Sequence, residues 1–328
     1  MTAAALLPAS IPSPPEEWQI PIRIPIGQWL PFLGEGTVIN IHTYALCILA
    51  GIIAATLITE FRLRRRGAEP WALIDVLIWA VPLGIVGARV WHVITHPADY
   101  FFEGADPWAV VRIWDGGNAI FGALLGGAIG VWIGCRISGL RFTAFADALA
   151  PGLLVAQALG RLGNYVNHEL FGLPTDLPWG LEIEASNPAF PVGLEPGTLF
   201  HPMFAYEMAW NLAGAALLLL LDWRLRLQWG RLLALYLVWY GLGRFVFEIY
   251  RLDPSEIILG LRVNDWGALA MILLGVVVFI VQSRRHPGLE PSPYRPGREW
   301  DGGRTAVDSE DTYEDVDDEP EPVGAKSE

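Results

Sequence analysis

The sequence predicts an all-α polytopic membrane protein of about seven transmembrane helices, N-terminus outside and C-terminus cytoplasmic. Three observations carry this. Apolar residues make up 53% of the 328 positions, and mean hydropathy is +0.37, which excludes an ordinary soluble globule. The chain holds seven apolar runs of about 17 to 22 residues, each able to span roughly 30 Å of hydrocarbon at about 1.5 Å per residue. Finally, the short connections rich in arginine alternate with longer ones rich in proline and carboxylate.

Residues 1–40 form a proline-rich segment with Trp18, Trp29 and Phe32 interleaved, expected to lie along the membrane interface and not to be a signal peptide. A transmembrane domain is expected over residues 41–282. Its first run, Ile41 to Glu60, opens with His42 and Tyr44 and leads into FRLRRRGAEP. The second, Trp71 to His92, carries Arg89 near its end, and a mixed polar segment ending in Trp114-Asp115-Gly116-Gly117-Asn118 follows. The third, Asn118 to Gly134, is glycine-rich, a composition that lets helices approach closely. The fourth runs from Phe145 to Tyr165, the fifth from Met203 to Leu221, the sixth from Leu232 to Tyr250 and the seventh from Trp266 to Val281. Residues 283–328 read as a disordered, acidic cytoplasmic tail.

Arginine placement orients the runs. Arg62, Arg64, Arg65 and Arg66 follow the first, Arg136 and Arg141 the third, Arg224, Arg226 and Arg231 the fifth, and Arg284 and Arg285 the seventh. The positive-inside rule places these connections in the cytoplasm.

The formal net charge of −13 belongs mostly to the tail. From His286 onward there are thirteen acidic residues against Arg295, Arg298, Arg304 and Lys326, which accounts for nine of the negative charges. Nothing suggests nucleic-acid binding. The two cysteines, Cys47 and Cys135, lie in apolar runs and form neither a disulfide framework nor a CxxC site. No GxSxG, HExxH or Walker loop is present, so serine hydrolysis, zinc proteolysis and nucleotide use lack support.

Chemistry concentrates in GRLGNYVNHELFG, residues 160–172, at the outer end of the fourth run. An arginine near bilayer depth costs at least about 2.5 to 3.5 kcal/mol, so it marks a functional site by default. If the helix continues through the stretch, Arg161, Asn164 and His168 share one face. The other polar residues also fall at outer ends: Tyr44, Arg89, Tyr206 and Glu207, then Tyr240, Arg244, Glu248 and Arg251. The opposite halves are nearly featureless. A cavity opening to the outer leaflet explains this asymmetry, whereas a phospholipid transporter or flippase would need polarity along its whole path. Arg161, Arg244 and Arg89 on separate helices would clamp an anion at headgroup depth, a phosphate diester.

These motifs, together with HTYAL, GARVWHV, the WDGG turn, HPMFAYE and YGLGRFVFEIYR, resemble the prolipoprotein diacylglyceryl transferase family over residues 40 to 282. The resemblance implies transfer of the diacylglyceryl group of phosphatidylglycerol to the lipobox cysteine of a preprolipoprotein, releasing glycerol 1-phosphate. It implies a multi-pass protein of the bacterial cytoplasmic membrane, with its site toward the outer leaflet and no metal or cofactor. Another phosphatidylglycerol-consuming enzyme would share the anion clamp but not the motif. By resemblance, Arg161 and Arg244 contact phosphate, and Asn164, Glu169 and Gly172 occupy signature positions. Tyr44, Tyr240, Glu207 and Glu248 occupy further polar positions of the family. Arg89 and Arg251 are added as substrate-binding candidates on their charge and placement. Many family members carry a histidine where this chain has Phe121, so proton removal falls to another group. Glu169, Glu248, His168 and His42 are the candidates.

Overall fold

Long uninterrupted apolar runs leave the backbone one way to satisfy its own polar groups inside a bilayer, the α-helix. The computed structural model describes residues 10–302 except 26–27, 30–37, 114–115 and 253–254. Phe32, Trp114, Asp115 and residues 303–328 therefore lie outside the described residues.

Seven long helices appear among them: α1 Thr43–Arg65, α2 Ala72–Thr95, α3 Ile120–Ile137, α4 Phe142–Val166, α5 Met203–Leu225, α6 Arg231–Glu248 and α7 Val263–Arg285. Six are long and apolar enough to cross a membrane. The exception is α6, whose eighteen residues carry three charges, Arg231, Arg244 and Glu248.

The helices pack as α1 on α4, α2 on α3, α4 on α5 and α6 on α7. The glycine-rich third span works as its composition predicts. A Cβ on Gly122 would stand 2.1 Å from the Gly87 carbonyl oxygen of α2, so only glycine permits that approach. α4 is the central helix, with 56% of its span buried against 22% for α1.

One end of the bundle carries the arginine-rich connections. There Leu63, Leu73, Val76, Leu140 and Phe145 form a core with Tyr294. Tyr294 belongs to the stretch assigned from sequence to a disordered tail, yet residues 286–298 are docked. Arg141 N–H donates to the Pro293 carbonyl at 2.8 Å, Arg295 N–H to Gly139 at 2.9 Å, and the Glu69 N–H to the Tyr294 hydroxyl at 3.0 Å. His286 stacks on Trp229 with ring centroids 4.1 Å apart. The apolar surface of Tyr294 and these backbone pairings explain why the strap folds despite the acidity of the sequence beyond it. Burial pushes the Glu290 carboxyl in this strap upward, against the opposing hydrogen bond from Thr143 and the charges of Arg66 and Arg141.

The other end is capped by residues 167–202. Two short antiparallel strands, Leu181–Glu182 and Leu199–Phe200, pair there, and Leu181 and Phe200 pack with Phe171 and Ile183. The N-terminal segment, expected along the membrane interface, is fastened to this cap. Ile11 pairs with Leu181, and the Tyr165 hydroxyl donates to the Pro12 carbonyl at 2.8 Å. Two further hairpins, Ile22–Ile24 with Ile39–Ile41 and Ile257–Ile258 with Leu261–Arg262, complete the described strands.

Candidate functional site

α4 ends at Val166, and the chain then turns sharply, with left-handed backbone at His168 (φ 53°) and Leu170 (φ 57°). The expected face of Arg161, Asn164 and His168 therefore breaks at its last member. The turn swings Glu169 back toward the helix it follows. Asn164 Nδ2 donates to Glu169 Oε1 at 3.0 Å, and Asn167 Nδ2 reaches the same oxygen at 3.4 Å. Arg161 donates from Nη1 to Asn164 Oδ1 at 3.2 Å and makes a direct ion pair with Glu207 of α5 through Nη2. His168 is directed into the cap. Its Nδ1 meets Glu184 Oε2 at 2.9 Å and its Nε2 meets the Pro14 carbonyl at 3.0 Å. Both ring nitrogens are thus engaged within the cap, and His168 is not part of the cavity lining.

Arg161 and Asn164 open onto a cavity of about 730 Å³. Tyr44 of α1, Asn211 of α5 and Tyr240 of α6 join them at its polar end. Tyr44 reaches this place because α4 has no side chain at Gly163, where a Cβ would stand 2.5 Å from Tyr44 Cδ2. Apart from Gln157 and Tyr236, the remaining walls are apolar, with Phe145, Leu149 and Leu153 running toward the basic end. A small adjoining recess is lined by Glu207, Asn211, Tyr240 and Arg244, so Arg161 and Arg244 are linked through shared neighbours.

Arg244 leads into a second cluster. Glu248 is 1% exposed and meets three guanidiniums: Arg244 Nη1 at 2.7 Å, Arg262 Nε at 3.0 Å and Arg251 Nε at 4.0 Å. Asn264 Nδ2 adds a hydrogen bond at 3.0 Å. The Arg244 contact is a charge contact without hydrogen-bond alignment, since both of its atoms lack a hydrogen-bond partner. One buried carboxylate thus gathers three guanidiniums beside the cavity.

Two sequence candidates are engaged elsewhere. Arg89, 6% exposed, donates to the backbone carbonyls of Ala109, Val110, Gly116 and Gly117 and lies over the Tyr100 ring. In this structure it pins the segment between α2 and α3 and does not converge with Arg161. Gly172 marks a crossing of three chain segments. Its N–H donates to the His201 carbonyl at 2.9 Å, and a Cβ there would meet His201, Met203 and the Tyr250 carbonyl at 2.8 to 3.0 Å. It shapes the cap by having no side chain.

Phe121 is 63% exposed, leans toward Trp91 and stays outside the cavity wall, which its neighbours Ile120 and Ala123 join instead. His42 is exposed at the N-cap of α1. Among the described residues no three His, Cys, Asp or Glu side chains gather as a metal site requires.

Sequence reading missed Asn211, Gln157, Tyr236, Arg262 and Asn264. Asn211 had a signal, one helical turn beyond Glu207 on the same face. Arg262 and Asn264 had none, because the path of the loop that separates them from Glu248 is not announced by any local pattern.

A helical bundle around a largely apolar chamber with an arginine, tyrosines and amides at one end defines a multi-pass membrane protein. Comparison with known proteins refines this class. The family model for prolipoprotein diacylglyceryl transferase matches residues 32–281. The phosphatidylglycerol--prolipoprotein diacylglyceryl transferase of Leifsonia xyli is 58% identical over 311 residues, 93% of this chain and 90% of the relative. That of Paenarthrobacter aurescens is 49% identical over 254 residues, covering 75% and 80%. One of Streptomyces coelicolor is 44% identical over 264 residues, covering 80% and 83%. The chain belongs to the prolipoprotein diacylglyceryl transferase family.

Proposed function

We propose that this protein transfers the diacylglyceryl group of phosphatidylglycerol to the lipobox cysteine of a preprolipoprotein, working at the outer leaflet of a bacterial cytoplasmic membrane. The observation that carries the reading is the division of one cavity into an arginine-bearing end and a long apolar remainder. Such a chamber suits a phosphate with two acyl chains attached.

The cysteine sulfur attacks C3 of the diacylglyceryl group. A carbon–sulfur bond forms, the carbon–oxygen bond to phosphate breaks, and its electron pair leaves on the phosphate oxygen of glycerol 1-phosphate. The thiol proton ends on the released phosphate monoester, directly or by way of a carboxylate. Negative charge therefore grows on the phosphate in the transition state. A guanidinium has five N–H donors, so Arg161 can hold Asn164 and Glu207 and still present donors to that charge. Fixed in an apolar setting, such donors stabilise the leaving group far better than water does. A guanidinium beside the thiol would also favour the thiolate form of the nucleophile. Glu169 lies within the Arg161–Asn164 network and Glu248 within the Arg244 cluster, and both remain candidates to take the proton.

Orientation with the cap outside follows from the arginine-rich connections at the opposite end. A lipid transporter is the weaker alternative, since the cavity's only charged lining residue, Arg161, lies at one end and its walls toward the basic end are apolar. The deciding experiment incubates membranes containing the protein with labelled phosphatidylglycerol and a lipobox peptide. Label on the cysteine with release of glycerol 1-phosphate is expected. A protein that binds the lipid yet releases no glycerol phosphate would overturn the reading.

A further inference from the structure

Within the apolar stretch of the cavity lies one polar pair that the phosphate site does not use. Gln157 is one helical turn before Arg161 on α4, and Tyr236 is one turn before Tyr240 on α6. Both helices run from the basic end toward the cap, so the pair forms a tier about 6 Å deeper than the arginine tier. Gln157 Nε2 donates to the Tyr236 hydroxyl at 2.9 Å, and both residues line the cavity. Gln157 Oε1 is buried with no partner, and Tyr236 is 9% exposed. Leu153, Leu233 and Leu237 surround them in the wall.

A buried amide oxygen without a donor is costly, and an isolated pair in an apolar wall is better replaced by leucine and phenylalanine unless something in the cavity completes it. The pair has a second arrangement. If the amide turns over, the phenol donates to Oε1, and both amide N–H groups face the cavity. That arrangement is satisfied only by an acceptor supplied from within. In a glycerolipid whose phosphate is held at the Arg161 tier, the groups found a few bonds deeper are the ester carbonyls, which are acceptors and have no donor. Below them come hydrocarbon chains, matching the apolar walls.

We propose that Gln157 and Tyr236 form an ester-carbonyl subsite, which sets the depth of the diacylglyceryl group and selects diester over diether glycerolipids. The inference rests on the transferase reading above and assigns it a substrate contact. The peptide substrate offers donors as well as acceptors, but its reactive sulfur belongs at the phosphate end, above this tier.

The test compares phosphatidylglycerol bearing two ester-linked chains with the same headgroup bearing two ether-linked chains, each with a lipobox peptide. The wild-type protein is expected to favour the diester by about tenfold in kcat/KM. Gln157→Leu, close in volume, should bring that ratio near unity, and Tyr236→Phe should lower it in the same direction. A purely structural pair would change both lipids' rates together and leave the ratio alone. Should Gln157→Leu not insert, Tyr236→Phe and the wild-type ratio decide. Equal wild-type use of both lipids overturns this proposal while leaving the transferase reading intact. Wild-type transfer from neither lipid overturns that reading instead. An unchanged ratio with a raised KM for peptide would make the pair a peptide contact and equally overturn the subsite.

Discussion

Arg161 of α4 and Glu207 of α5 form a direct ion pair at the polar end of the cavity, and the same guanidinium also donates to Asn164. The arginine is thus held at the cavity wall by two partners. Removing a fixed donor to a developing oxyanion typically costs about 10² to 10³ in rate. Arg161→Ala should therefore abolish measurable lipidation while the protein still inserts. Arg161→Lys keeps the charge but loses the fork, and should remain at least about tenfold below wild type. Transfer of labelled diacylglyceryl to a lipobox peptide measures both. Wild-type rates in either variant would remove Arg161 from the mechanism.

Glu248 should be essential to stability as well as to chemistry. Truncating one partner of a buried charge cluster leaves the others uncompensated, at a cost of about 3 to 5 kcal/mol. Here Arg244, Arg251 and Arg262 would all lose their shared carboxylate. Glu248→Ala should lower the thermal unfolding midpoint in detergent sharply. Adding Arg262→Leu should recover part of the loss, because one cation of the cluster is removed.

Gly163 controls the position of Tyr44. A methyl group there would stand 2.5 Å from the Tyr44 ring, so the ring must move. Overpacking of this kind typically costs about 1 to 3 kcal/mol. Gly163→Ala is expected to reduce both stability and transfer. Pairing it with Tyr44→Ala should restore stability without restoring activity, which a double-mutant cycle would read directly.

The cap should loosen in acid. Burial raises the Glu184 carboxyl, but hydrogen bonds from its own backbone, Ser13 and His168, with the His168 charge, outweigh this and hold it below the usual carboxylate range. A carboxylate held low in the folded state stabilises fully above the pKa of an unfolded glutamate, and loses that contribution as pH falls through its folded value. The stability gap between wild type and Glu184→Gln should therefore close on acidification through the folded value of Glu184. Thermal unfolding across a pH series checks the sign. A gap that widens in acid would refute the pairing.

Part of this was legible from composition and spacing. The seven helices follow from apolar runs that must satisfy their own backbone in lipid, and a close helix contact by α3, though not its partner, follows from its glycines. Arg161, Asn164, Tyr44 and Tyr240 stood out because polar groups at bilayer depth are costly, and all four line the cavity. His168 was misplaced because a periodicity argument assumes that the helix continues, and two left-handed residues end it. Arg89 looked like a phosphate ligand, but its partners are carbonyls of a loop whose path no local pattern announces.

By itself the sequence determined the helical, membrane-embedded class and the clustering of polar side chains near one end, since hydropathy and charge cost act locally along the chain. Only the tertiary structure decided which of those charges meet. It joined Arg161 to Glu207, gathered three arginines on Glu248, seated Tyr294 among the basic connections and left Gln157 facing the cavity with an open valence. Each depends on how helices cross and loops return, and such contacts between distant residues are set by packing geometry, which no short window of sequence encodes.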